Sequence, residues 1–180
     1  MNIKSIGAVI LVASIAGNVY SAEGDAYFGI QYSMVTFSES GFPDFEPVAL
    51  VGRYGKFTSD NFAIEGRLGF GLSDDTQNII GIDVDLEIDH ILGVYGAFYH
   101  GTSSPTIRPY GILGITQVEF TQSAPGFGSV SDDDSDFSFG LGIDFEIGGN
   151  IVINLEYMDY GEFGGADVTA IAIGYNALFK

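Results

Sequence analysis

From residue 25 onward, apolar and small or polar positions alternate with a period of two. The cleanest stretch sets Phe137, Phe139, Leu141, Ile143, Phe145 and Ile147 on one face and Ser138, Gly140, Gly142, Asp144 and Glu146 on the other. Such a period with one wholly apolar face belongs to a strand, not a helix. The same pattern runs through Phe28, Ile30, Tyr32 and Met34, and through Phe62, Ile64, Gly66, Leu68 and Phe70. Eight strands are expected, at 26–37, 47–57, 62–72, 82–99, 107–120, 136–147, 151–160 and 168–179. Most exceed the roughly five or six residues of soluble sheets and match the roughly 9–11 that cross a bilayer when tilted. With Gln117 and Glu119 taken as inward, Tyr110, Ile112, Gly114, Thr116, Val118 and Phe120 are expected outward.

The links alternate in length. Thr58–Asn61, His100–Thr106 and Gly148–Asn150 are short, whereas Ser38–Glu46, Ser73–Gly81, Thr121–Ser135 and Gly161–Asp167 are mostly longer and rich in Gly, Ser, Asp or Glu. An up-and-down barrel with turns on one rim and loops on the other has this anatomy, and an even strand count puts both termini in the periplasm. Alternation alone leaves open whether the apolar face looks out at lipid or in, as in a soluble lipocalin-like barrel. The polar face is poor in Lys and rich in Gly, Ala and Ser, which suits the narrow interior of eight strands. Aromatics also gather at strand ends: Phe28, Tyr54, Phe62, Phe98, Tyr110, Phe145 and Phe179 near the turns, and Phe37, Phe70, Phe120, Phe137 and Tyr157 near the loops. Two such belts fit two bilayer interfaces. The expectation is an all-β, eight-stranded antiparallel transmembrane barrel over residues 23–180. Ahead of it, residues 1–22 carry Lys4, an apolar run from Ile6 to Ala16 and small residues at Ser21 and Ala22, the plan of a secretory signal peptide.

The closing stretch Gly174-Tyr175-Asn176-Ala177-Leu178-Phe179 resembles the terminal signal that the barrel-assembly machinery reads, with Lys180 as a departure, since the aromatic is usually last. Leu50-Val51-Gly52-Arg53-Tyr54-Gly55 and Asn61-Phe62-Ala63-Ile64-Glu65-Gly66-Arg67 resemble the second hairpin of small outer-membrane barrels of the OmpA, OmpX and opacity-adhesin group. The resemblance covers the mature chain as an architecture. It implies an outer-membrane location in a Gram-negative envelope, contact with membrane lipid and lipopolysaccharide, and Gly174, Tyr175 and Phe179 as an assembly signal.

Charge narrows the function. Six Lys plus Arg stand against 24 Asp plus Glu, a formal charge of −18, so nucleic acid is excluded as a partner. With no Cys there are no disulfides and no thiolate metal sites. The inward phase places Arg53, Glu65, Arg67, Asp144, Glu146, Asn154 and Glu156 in the lumen. Charges in so narrow a space are costly unless paired, so Arg53 and Arg67 are expected to bridge Glu65, Glu156 or Asp144 and plug the barrel, with Arg108 offsetting surplus acid. The alternative is a narrow porin-like path for small solutes lined by the same groups. Asp132, Asp133, Asp134 and Asp136 crowd one loop and are candidate ligands for a divalent cation, set against a plain solvated acidic loop. His90 and His100 are the only histidines, and neither sits in a nucleophile-base-acid pattern. No enzyme activity and no cofactor are expected. The role expected is envelope structure or surface interaction, with host surface ligands possible at the acidic loops.

Overall fold

The computed structural model describes residues 23–100, 106–148 and 150–179. The signal-peptide reading of 1–22, residues 101–105 of one short link, and Lys180 lie outside the described residues. Among the described residues are nine strands: β1 (Ala26–Ser38), β2 (Val48–Ser59), β3 (Phe62–Ser73), β4 (Asp75–Ile79), β5 (Ile82–Tyr99), β6 (Ile107–Ala124), β7 (Gly128–Gly148), β8 (Ile151–Phe163) and β9 (Ala166–Phe179). β3 and β4 both pair with β5, at Gly69↔Ile91 and Asp75↔Leu86, so they form one stave interrupted near Asp74. Every neighbouring pair is antiparallel. β1 closes on β9 from Ala26↔Phe179 to Ser38↔Asp167, which yields a closed barrel of eight staves. Over the height where the staves pair all round, closure removes the unpaired edges that a sheet in lipid cannot tolerate.

The outward phase is apolar on every stave, for example Ile30, Tyr32, Leu68, Val94, Leu113, Leu141, Leu155 and Ile173. Soluble monomers rarely expose a contiguous apolar patch beyond a few hundred Å². A continuous apolar girdle around a closed barrel marks a transmembrane one. Phe28, Tyr54, Phe62, Phe98 and Phe179 face outward toward the short-turn rim, and Phe70, Phe137 and Tyr157 toward the other. Tyr110, Phe37 and Phe120, expected in these belts, instead point into the lumen and are buried.

β6 runs in the opposite phase to the expectation: Tyr110, Ile112, Thr116, Val118 and Phe120 are buried inside, while Leu113 and Ile115 face out. Gln117 and Glu119 therefore lie on the outer face. Glu119 meets His90 Nδ1 at 3.3 Å across the β5–β6 ladder, just past a bulge at Asp89. The lumen takes the apolar side chains because its upper half is a hydrocarbon core.

The expected long loops are also largely strand. Thr121–Ser135 is a hairpin paired from Thr121↔Ser131 to Ala124↔Gly128, and Ser73–Gly81 contains β4. β5 and β6 each have 18 residues and β7 has 21, against 13 for β1 and β8. The wall is thus tallest on the β5–β7 side. The β4–β5 hairpin turns through Ile80 (φ 53°) and Gly81 (φ 84°), with the Gly81 N–H donating to Asn78 Oδ1 at 3.0 Å. This tight turn needs φ > 0 at both positions, which suits Asn-Gly and strains a β-branched residue. Replacing Ile80 with Asn is expected to stabilise the folded barrel by roughly 1 kcal/mol, read as a higher urea midpoint with unchanged slope.

Candidate functional site: lumen deck and rim mouth

The lumen is filled in three storeys, each dictated by the inward residues of the staves. Nearest the short-turn rim is an aromatic storey. Phe57 packs against Tyr27 at 5.8 Å and against Tyr99 at 5.1 Å, and Tyr99 packs against Tyr110 at 5.1 Å between centroids. The Arg108 guanidinium lies 4.5 Å from the Tyr99 ring centre. Inward rings fit here because the neighbouring stave offers glycine: a Cβ on Gly55 would collide with the Tyr27 ring, and one on Gly142 with Tyr110.

The middle storey is ionic. Arg53 lies in β2, Glu65 and Arg67 in β3, and Glu156 across the barrel in β8. Arg53 Nε donates to Glu65 Oε2 at 2.9 Å, and its Nη2 also bonds that oxygen. Arg67 Nε donates to Glu65 Oε1 at 2.6 Å. Its Nη1 and Nη2 grip Glu156 Oε1 and Oε2 at 2.6 and 2.7 Å, a bidentate pair. Arg53 Nη1 closes the ring at 3.8 Å from Glu156 Oε2. All four side chains are essentially inaccessible to solvent. Neutral donors complete the set. The Tyr27 hydroxyl donates to Glu65, Tyr110 donates to Glu156 Oε2 at 2.7 Å, and Gln31 Nε2 donates to Glu156 Oε1 at 3.3 Å. The Tyr95 ring stacks against Arg67, 4.8 Å from ring centre to guanidinium.

Of the expected lumen charges, the structure brings Arg53, Glu65, Arg67 and Glu156 into one closed deck. Asp144 and Glu146 sit apart, lining a space of about 20 Å³ with Arg108 and Asn176 at the short-turn end. Asp144 is paired in register with Arg108 and does not bridge Arg53 or Arg67. Sequence reasoning missed Tyr27, Tyr110 and Gln31 as deck ligands. Tyr27 and Gln31 stand in the polar phase of β1, and that was the available signal.

Above the deck a hydrogen-bond chain runs across four staves, β5 to β8: Tyr95 to Thr116 at 2.6 Å, Thr116 to Ser138 at 2.7 Å, and Ser138 Oγ donating to the Tyr160 carbonyl at 3.0 Å. The upper storey beyond it is apolar, with Val35, Ile88, Val118, Met158 and Val168 all buried. At the long-hairpin rim the interior opens into a mouth of about 340 Å³. Phe37 and Phe120, 5.4 Å apart and tilted by 60°, lie among its lining residues.

The four aspartates of the 131–136 run do not gather. They lie along β7, where alternation turns Asp133 outward and Asp132, Asp134 and Asp136 the other way. Among the described residues, no group of three or more His, Cys, Asp or Glu is placed to hold a metal ion. Asp136 instead accepts the backbone N–H of Glu162 at 2.9 Å and of Phe137 at 2.7 Å. Gly174, Tyr175 and Phe179 lie on the closing strand β9, with Tyr175 and Phe179 facing outward.

The barrel is similar in structure to Ail, the attachment invasion locus protein of Yersinia pestis (TM-score 0.64, 19% identity, covering 87% of this chain and 99% of that one). Ail has also been solved in complex with the heparin analogue sucrose octasulfate. Similar too are the N-terminal β-barrel domain of OprF from Pseudomonas aeruginosa (0.60, 13%, 88% and 100%) and Neisserial surface protein A (0.56, 16%, 87% and 100%). At these identities the likeness carries the fold alone. No curated protein matches the chain. The family described as outer membrane protein beta-barrel domain matches residues 6–179. That match spans nearly the whole chain, so the protein belongs to the outer membrane protein beta-barrel domain family.

Proposed function

We propose that this is a sealed, non-enzymatic barrel whose hairpins present an interaction surface for cationic partners outside the cell. The observation that carries the reading is the placement of charge. The six basic residues are Lys4, Arg53, Lys56, Arg67, Arg108 and Lys180, and none lies in the hairpins of the tall rim. That rim carries Glu39, Asp75, Asp83, Asp85, Glu87, Asp132, Asp133 and Asp134. A field of one sign attracts basic surfaces and repels polyanions. The ligand of the Ail complex is a polyanion, and this rim is electrostatically mismatched to it.

Both described chain ends lie on the short-turn rim, since Ala26 pairs with Phe179. In barrels of this kind short turns are periplasmic and long hairpins extracellular, so the acidic hairpins face outward. Two apolar tips stand among the acids: Ile80 is 97% exposed and Phe127 78% exposed. They supply anchors of the sort that dominate protein contacts. Assembly is read from the closing strand through Gly174, Tyr175 and Phe179, and lipopolysaccharide surrounds the outer half of the girdle. The paired deck and the apolar storey above it support a plugged lumen over the porin-like alternative.

Barrels in zwitterionic vesicles are expected to bind immobilised polylysine and not heparin. Binding should fall as salt rises from 0.15 to 1 M, because the Debye length shrinks from about 8 to about 3 Å. The triple variant D132N/D133N/D134N should bind polylysine more weakly, and planar bilayers should show no steady conductance. Heparin binding, or steady channels, would overturn the reading.

A further inference from the structure

We infer that the mouth at the long-hairpin rim is a binding cup for a small cation with an aromatic or branched apolar body. Connections from all four hairpins of that rim contribute to its wall, with Phe37, Phe45, Phe120 and Phe163 providing rings and Glu39 and Asp132 providing carboxylates. Its volume of about 340 Å³ lies at the lower end of ordinary small-molecule pockets, roughly 300–1,000 Å³. The cup is blind. Beneath it Val35, Ile88 and Met158 are buried and tightly packed, so it holds a solute and does not pass one through.

Three features choose the charge of the occupant. The wall is mainly apolar, so the body of the ligand is apolar. Phenyl faces attract a cation that approaches them. The rim carboxylates add Coulomb attraction, and among the described residues no Lys or Arg stands on that side of the barrel to cancel it. An anionic amphiphile, including a lipid with phosphate at its head, meets the same field with the wrong sign. The inference shares the one-sign field with the proposed function but concerns a small solute inside the mouth, not a macromolecule on the tips.

The test is an amide NMR titration of the full barrel in an uncharged detergent with three probes of similar body: phenethylammonium, 2-phenylethanol and 3-phenylpropanoate. The cation should give saturable shifts at Phe37, Phe45, Phe120 and Phe163, bind at least about tenfold more tightly than the alcohol, and outcompete the acid entirely. The E39Q/D132N variant should lose about tenfold in affinity for the cation while its affinity for the alcohol stays unchanged. Ala166→Trp, which fills the cup from its edge, should abolish saturable shifts while the barrel keeps its heat-modifiable gel migration. Equal affinity for all three probes, shifts confined to the lipid-facing girdle, or undiminished binding in folded A166W would each overturn the inference. Failure of the polylysine experiment alongside a successful titration would remove the macromolecular reading and leave the cup standing.

Discussion

Replacing Arg67 with alanine is expected to destabilise the barrel by about 3–5 kcal/mol, the cost of leaving a buried carboxylate without its cation. Arg67 contacts both acids of the deck, Glu65 through Nε and Glu156 through both terminal nitrogens. After its loss, Arg53 alone must serve two carboxylates, one of them at 3.8 Å. Arg67→Lys should recover only part of the loss, since an ammonium cannot grip Glu156 with two parallel bonds while reaching Glu65. Removing the partners together, as R67L/E156L, leaves the Arg53–Glu65 pair balanced and should recover most of it. Urea midpoints in lipid vesicles read all three variants. An unchanged midpoint for R67A would mean that water reaches the deck and solvates Glu156.

The second large effect tests which face meets lipid. Ile173→Arg puts a guanidinium on the outward face of β9 near mid-height, and is expected to cost about 2–4 kcal/mol. The same residue placed at the exposed tip, Phe127→Arg, should change stability by no more than about 0.5 kcal/mol. The contrast matters because both positions are exposed in the isolated barrel, with Ile173 at 55% and Phe127 at 78%. Equal cost at the two sites would mean that the girdle is not in hydrocarbon.

Most of the architecture was legible because a strand in a membrane barrel keeps a strict period of two over ten or more residues. Where one phase is small or charged, as in β2, β3 and β8, the inward side could be read directly. β6 failed because apolar no longer means outward once the upper lumen becomes an apolar core. Ile112 and Val118 fill that core while Leu113 and Ile115 face lipid, so both phases look alike. The deciding pair, Gln117 and Glu119, misled because at that height the outer face is close to the polar boundary, where His90 and Glu119 meet. The hairpin at 121–135 was hidden for another reason. Runs of Asp, Ser and Gly have weak strand propensity, and only pairing with Thr121 and Gln122 across the ladder keeps them extended. The deck itself was legible as a set of charges. Its ring-shaped connectivity and its tyrosine donors required the register.

The uneven height of the wall bears on how a visitor meets the cell. At about 3.3 Å per residue, 21 residues of β7 extend about 70 Å, well beyond the roughly 9–11 residues that a tilted crossing needs. The surplus forms a lopsided parapet, high along β5 to β7 and low where β1 and β9 adjoin. If the mouth is the cup inferred above, a partner too bulky to enter it meets the crest first, where Ile80 and Phe127 stand exposed, and only a small solute reaches the recess behind.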